Sequence, residues 1–292
     1  MKKLLIVPTL LATMACNNAG TQTTDSSATS LPELQQGRIE VYDFPQFRLH
    51  VYYTNDALGD ASFIIEGKES VVTLEEPLFK ANVTEYEQCL KSIGKPVATR
   101  IADYHLGGTG AEPLVMPEGM PGFIHVPPYS SMMEGFAQAF GESIVDLPTG
   151  PTTEAAFGST QNYAGVDFAF DRGAASDFPG AAILIGGKVY FTHWAPAKAH
   201  VNALQVGSVE AIDARLAEAE TALASGAEIF IGGHGGAASR EVLTFKIDYL
   251  KGMKEVLAQS KNAAAFVEGM KTRFPGLDGE DGLEQLGAAL IK

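Results

Sequence analysis

The stretch Thr99-Arg-Ile-Ala-Asp-Tyr-His-Leu-Gly-Gly108 decides the reading of this 292-residue chain. It continues a run from Pro96 to Ala102 that reads as a strand, and it sets His105 one residue before a Gly-Gly turn. Far along the chain it finds an echo in Gly232-Gly-His-Gly-Gly236, where Ala227-Glu-Ile-Phe-Ile231 is the strand that leads to His234. Two histidines set in glycines, each at the end of a β-like run, are how a chain brings ligands from distant segments to one rim.

Composition bounds the rest. Hydrophobic residues make up 46% of the chain and charged residues 19%, which describes a globular protein with a real core. A net charge of -14 repels phosphate backbones and argues against nucleic acid as a partner. Lys2-Lys3, the apolar run Leu4 to Met14 and Ala15-Cys16 form a targeting segment too short to span a bilayer, which needs about twenty residues. It resembles a bacterial lipoprotein signal (residues 1–16) with Cys16 as the lipidated residue. A membrane-anchored protein of the cell envelope, facing the periplasm or exterior, is therefore expected. Cys89 is then the one remaining cysteine, and its place with Tyr86, Leu90 and Ile93 on one helical face marks it as buried.

Residues 17–36 are rich in Ser, Thr, Asn and Ala and read as a flexible tether. From residue 37 to 292 the chain reads as one domain. Arg38 to Tyr42, Phe47 to Tyr53, Ser62 to Glu66 and Ser70 to Leu74 are expected as strands, followed by a helix ending at Gly94. Phe123 to Val126 is expected as a short strand carrying His125, and Ser131 to Gly141 as a helix. His50 and His125 are read as structural or exposed residues, not ligands. Val166 to Phe170 is expected as a strand, and Ala181 to Thr192 as a hairpin ending at His193. A helix from Ser208 to Ser225 carries Ser208 at its N-cap, one long helix runs from Ser239 to about Lys271, and a last helix spans Leu283 to Leu290. Strand groups and helices come twice in similar order, which fits a β-sandwich covered by helices on its outer faces.

These motifs together resemble the metallo-β-lactamase-fold superfamily, whose hallmarks are T-H-x-H-x-D-H-x-G-G after a strand, G-H-T-P-G, a G-D after a hairpin and a late G-H-G. The resemblance runs from about Phe47 to the C-terminus and implies an α/β fold, a single-domain αββα sandwich with a metal site at one edge. Set on the first hallmark, Arg100 and Ala102 stand at its first two histidines, Tyr104 at the aspartate, His105 at the last histidine, and Gly107-Gly108 at the glycine pair. Asp177, in Ser176-Asp-Phe-Pro-Gly180, stands where another ligand histidine belongs. His193 replaces the bridging aspartate, and Gly233-His-Gly235 matches unchanged. Glu75, between a strand and Pro77, resembles an acidic position near the family's site.

The departures shape the functional expectation. An alanine cannot ligate and an arginine stays cationic, so the first metal pocket is lost. His105, His193 and His234 remain as the ligands of a single metal, Zn or Fe, and three neutral imidazoles leave a coordination position open for water. Asp177, Tyr104 and Arg100 are the candidate catalytic residues: Asp177 or Tyr104 as a further ligand or proton acceptor, Arg100 as a cation for a substrate carboxylate or a partner of Asp177. The leading expectation is a metal-dependent hydrolase of a small-molecule ester, amide or lactone. The alternative is a metal-free pseudoenzyme that serves as a surface binding or accessory protein. A redox iron protein is a third and weaker reading, since Tyr104 and His193 replace the acidic ligands of a bridged metal pair. No G-x-S-x-G elbow supports serine catalysis.

Overall fold

The structure is a computed structural model that describes residues 32–148, 151–174 and 180–291. Cys16 and Asp177 lie outside the described residues. Residues 31–292 form one compact unit.

The first sheet has seven strands in sequential order: β1 (Arg38–Asp43), β2 (Arg48–Tyr53), β3 (Ala61–Glu66), β4 (Val71–Glu76), β5 (Val97–Leu106), β6 (Leu114–Pro117) and β7 (Thr152–Ala155). β1 to β4 pair antiparallel, and β4 to β7 run parallel. Helix α1 (Lys80–Ile93) supplies the crossover between the parallel strands β4 and β5. α2 (Met120–Phe123) and α3 (Tyr129–Phe140) lie between β6 and β7 in the chain. The second sheet runs β13-β12-β11-β10-β9-β8, from β8 (Ser159–Tyr163), β9 (Val166–Arg172), β10 (Ala181–Ile185), β11 (Val189–Trp194), β12 (Ile229–His234) and β13 (Gly236–Ser239). β11 and β12 are parallel and joined through α4 (Val209–Ala224). α5 (Arg240–Gln259), α6 (Ala263–Arg273) and α7 (Leu283–Leu290) complete the chain.

The layers follow from which residues each strand buries. Leu49, Val51, Phe63, Ile65, Val72 and Leu74 of the first sheet meet Phe168, Phe170, Ile183, Ile185, Phe191 and Ile231 of the second. On the outer face of the first sheet, Tyr52, Ile64 and Val71 pack against Tyr86, Cys89 and Leu90 of α1. Outside the second sheet, Tyr190 and Phe230 pack against Ala219, Ala222, Leu243 and Ile247 of α4 and α5. This is the expected αββα sandwich, and Cys89 is the buried helix residue its spacing indicated.

Most expected elements stand where the pattern placed them. The β10–β11 hairpin turns on Gly186 and Gly187, with φ of 55° and 65°, a conformation open to glycine and costly for most other residues. Ser208 caps α4 by accepting from the Ala211 N–H. His50 is buried, with Nε2 2.8 Å from the Glu66 carboxylate.

Two expectations are corrected, and four strands were not foreseen. Phe123 to Val126 is no strand: Pro121 opens the helical turn α2 after the left-handed Gly119, and His125 lies in the exposed turn that follows. The helix from Ser239 to Lys271 is two helices, because Ser260 has extended backbone and the Asn262 side chain caps a new start by accepting from Ala265 N–H. Four short strands, β6, β7, β8 and β13, escape the pattern altogether. β7 and β8 are mostly polar and half-exposed, so ladder pairing holds them where hydrophobic alternation does not.

Glu85 of α1 fastens the start of the domain. Its carboxylate accepts from the N–H groups of Gln35, Gln36 and Gly37 and from the Tyr52 hydroxyl. Burial works to raise this carboxyl, but those four donors hold it below the ordinary range. A depressed carboxyl contributes stability above its unfolded value, and the contribution is lost as pH falls through the folded value. Glu85→Gln is therefore expected to destabilise the protein at pH 7 and to cost little at about pH 3. Urea unfolding of both proteins at the two pH values checks this; an equal difference at both would refute it.

Candidate metal centre

The site is assembled where strand ends of both sheets meet. β5 delivers His105, β11 delivers His193, and β12 ends on His234. In the parallel β11–β12 pair Trp194 lies beside His234, and the Ala195 N–H donates to the His234 carbonyl at 2.9 Å. One donor atom from each histidine lies within 4.8 Å of those of the other two, the sole group of three or more such residues among those described. The ring centroids are 4.8 Å apart for His105–His234 and His193–His234, and 5.5 Å for His105–His193.

A fourth group, Asp60, escaped the sequence reading. It precedes β3, and its backbone makes an isolated antiparallel bridge to His234, so the first sheet reaches over the end of the second. The Thr54 N–H and hydroxyl both donate to its carbonyl and fix the turn. Its carboxylate is 5% exposed and lies 2.9 Å from His234 Nδ1 and 3.9 Å from His105 Nε2. Oδ1 nonetheless makes no hydrogen bond there. The local sequence Gly59-Asp-Ala carries no motif; only the strand expected from Ser62 lies near it in the sequence.

The end of β5 is held by Glu75. The β4–β5 register shifts between Leu74 and Glu76, and Glu75 sits at φ 56°, a strained conformation for a residue with a side chain. This turns its fully buried carboxylate onto three successive N–H groups, those of Asp103 at 2.6 Å, Tyr104 at 3.2 Å and His105 at 3.2 Å. Glu75 Oε2 also lies 3.6 Å from His105 Nδ1. The acidic position noticed beside Pro77 is thus a clamp on the histidine strand. Gly233 lets the second histidine strand pass close by: a Cβ there would meet the His105 ring at 2.8 Å.

Asp103, on the same strand, is also buried and accepts from the Ala181 N–H at 3.0 Å. Burial raises Glu75 against the pull of the three N–H groups; burial, then the Glu75 charge, raises Asp103. Burial also keeps the imidazoles of His105 and His193 neutral. His105 is pulled down to about 4, the neighbouring His234 adding to the effect and Asp60 opposing it. His193 lies well below the ordinary histidine value through burial, then His105 and His234. Burial works to raise Asp60, but His105 and His234 beside it hold it below the usual range.

The remaining sequence-derived residues are placed as follows. The Tyr104 ring lies over His193, centroids 3.9 Å apart, and its carbonyl accepts from the Tyr129 hydroxyl at 2.7 Å. Arg100 is turned to Glu76, with which it pairs closely, and to Glu112 at 2.7 Å from Nε. Its charge is thus already met by two carboxylates. Arg100, Ala102 and His105 share the wall of a cleft of about 570 Å³, completed by the loop from Gly107 to Glu112 and by Val145 to Pro148. Where the family hallmark has its first two histidines, this chain has cleft wall.

Several solved structures share this architecture. The stereoselective inverting sec-alkylsulfatase Pisa1 from Pseudomonas sp. matches with a TM-score of 0.57 at 13% identity, over 87% of this chain and 47% of that one. A metallo-β-lactamase family protein from Thermus thermophilus matches at 0.54 and 14% identity, over 87% and 90%. The DIM-1 metallo-β-lactamase exposed to ceftazidime matches at 0.52 and 13%, over 75% and 99%. The chain spans about half the length of the alkylsulfatase. At these identities the likeness shows the fold, which is that of the metallo-β-lactamase superfamily. No family model matches the sequence, and no curated protein matches it.

Proposed function

We propose that the protein is a hydrolase with one divalent metal ion held by His105, His193, His234 and Asp60, acting on an ester, amide or lactone. The observation that carries the reading is the convergence of four side chains: His105, His193 and His234 each offer a donor atom within 4.8 Å of the other two, and the buried Asp60 Oδ1, without a hydrogen bond, lies 2.9 Å from His234 Nδ1 and 3.9 Å from His105 Nε2. A buried carboxylate oxygen left without a partner costs about 1–3 kcal/mol, and a bound cation answers it. His105 and His193, held neutral by burial, are in the state that ligation needs. Donors on one Zn²⁺ at about 2.0–2.2 Å are about 3–3.5 Å apart, so rotations of these side chains suffice to close the set.

A divalent ion at such a site supplies Lewis-acid polarisation of a carbonyl and activation of water. The chain's own residues do the rest. Glu75 fixes the β5 backbone that presents His105, and Tyr104 packs on the His193 ring and limits its rotation. The cleft beside His105 has the volume of a small-molecule site, within the usual range of about 300–1,000 Å³. Arg100, neutralised by Glu76 and Glu112, shapes that cleft and is assigned no proton or charge transfer. The solved structures that share the fold include hydrolases, which agrees with the proposal without naming a substrate. We further propose that Cys16 is acylated and that the domain works at the cell envelope on its tether, with no nucleic-acid partner.

The test is the metal content of protein purified without added metal, together with hydrolysis of a panel of esters, lactones and amides before and after chelation. About one metal ion per chain and a chelation-sensitive activity are expected. A protein that is empty and takes up neither Zn²⁺ nor Fe²⁺ would sink the hydrolase and leave the fold in service of binding alone.

A further inference from the structure

A second, smaller cavity lies between the outer face of the second sheet and helices α4 and α5. Its free volume is about 40 Å³. One water needs about 10–15 Å³ on this measure, so the cavity holds about three, the bulk of a carboxyl group and the carbon that bears it. Its walls are largely apolar, with Tyr190, Phe230, Leu243 and Ala219 among them. Two cations reach it, Arg215 of α4 and Lys246 of α5.

The two cations are not equivalent. Arg215 is answered by Glu218, 3.1 Å away one helical turn on, and its Nε donates to the Gln205 carbonyl at 3.4 Å. The other Glu218 oxygen accepts from the Ala174 N–H at 2.7 Å. Lys246 has no ion pair among the described residues; its ammonium lies 5.9 Å from the centre of the Tyr249 ring. It is half-buried, in a chain with 35 acidic residues, and none of those described meets it within ion-pair distance. Dehydration, then the Arg215 charge, pulls this lysine down to about 7, with Glu218 opposing. The cavity therefore contains a cancelled Arg–Glu pair, apolar walls and one lysine without an ion pair, which a bound anion would hold in its charged form.

We propose that this cavity binds the carboxylate of a small organic acid, with Lys246 holding the charge and the apolar walls taking the adjoining carbon. A single unmatched positive charge calls for a monoanion, and apolar walls favour an organic one over a hydrated inorganic ion. Trp194 ties the cavity to the histidine centre. It lines the cavity, and its ring stacks on His234 with centroids 4.3 Å apart and planes 29° apart. That the carboxylate belongs to the substrate rests on the hydrolytic reading above; the binding itself does not.

Trp194 is the only tryptophan in the chain, so its fluorescence reports on both places. The experiment uses metal-free protein from which the chelator has been removed, titrated with butyrate, with its neutral isostere butyramide and with sulfate. A saturable change with butyrate alone is expected. Lys246→Met should weaken it at least tenfold, and Lys246→Arg should keep it within about threefold. Both variants should retain the wild-type Trp194 response to Zn²⁺, which shows fold and centre intact. No saturable response, an equal response to butyramide, tighter binding of sulfate, or an unaltered Lys246→Met titration would each overturn the proposal. Failure to take up Zn²⁺ with butyrate binding intact would overturn the hydrolytic reading instead.

Discussion

His234→Ala is expected to weaken metal binding by about two to three orders of magnitude. Four-donor structural zinc sites bind with about 10–16 kcal/mol, so a single donor accounts for about 3–4 kcal/mol, or roughly 10²–10³ in affinity. His234 is the natural first target, because it touches both other components: its ring faces those of His105 and His193, and its Nδ1 lies against Asp60. Its side chain is also 23% exposed against 14% for His105, so truncating it disturbs the packed interior less. Competition titration against a chromophoric chelator measures the loss, and Trp194, which stacks on His234, gives an independent optical signal. An affinity within threefold of wild type would remove His234 from the donor set.

Asp60→Asn refines the same experiment. The substitution keeps the shape and removes the charge, and because the amide oxygen can still donate weakly, a loss of affinity smaller than that of His234→Ala is expected. In metal-free protein the same variant should lose only the stabilisation that His105 and His234 give the ionised carboxylate, a smaller effect than its loss of metal affinity. A purely structural aspartate would show the reverse pattern, destabilised without metal and unaltered in affinity.

The fold was far more legible in the sequence than the site was. The apolar runs Phe47 to Tyr53 and Ser62 to Glu66, a capped helix after Ser208 and the paired glycines at 186 and 187 are local signals, and each describes its own element. His105 and His234 could be paired because each stands among glycines at the end of a strand, and His193 joined them through its place in the hallmark of the metallo-β-lactamase fold. Asp60 could not, since its role depends on a bridge to a residue 174 positions away, which no local pattern encodes. Arg100 is a second case. Its position in the hallmark suggested a cation for a substrate carboxylate or for Asp177, whereas its observed partners are Glu76 and Glu112, which the sequence does not mark as such. What spacing shows is which strand end a side chain occupies; what it omits is the carboxylate waiting there.

Glu75→Ala is expected to cost about 3 kcal/mol or more in metal-free protein. The variant strands the N–H groups of Asp103, Tyr104 and His105 in the interior, at about 1–3 kcal/mol for each lost acceptor. Glu75→Gln keeps a carbonyl oxygen for them and should cost much less. The pH dependence separates charge from shape. Glu75 is held above the ordinary glutamate value chiefly by burial, so the folded state keeps a proton that the unfolded chain has released. Its contribution is therefore present at low pH and lost as pH rises through the folded value. Glutamine carries no such proton, so Glu75→Gln should gain on the wild type as pH is raised from about 5 to about 9. Urea unfolding of the three proteins across that range decides it. A Glu75→Ala variant within about 0.5 kcal/mol of wild type would show that the clamp does not hold the histidine strand. A constant difference between Glu75→Gln and wild type would show that the carboxylate stays ionised throughout, held by the three N–H groups that it accepts from.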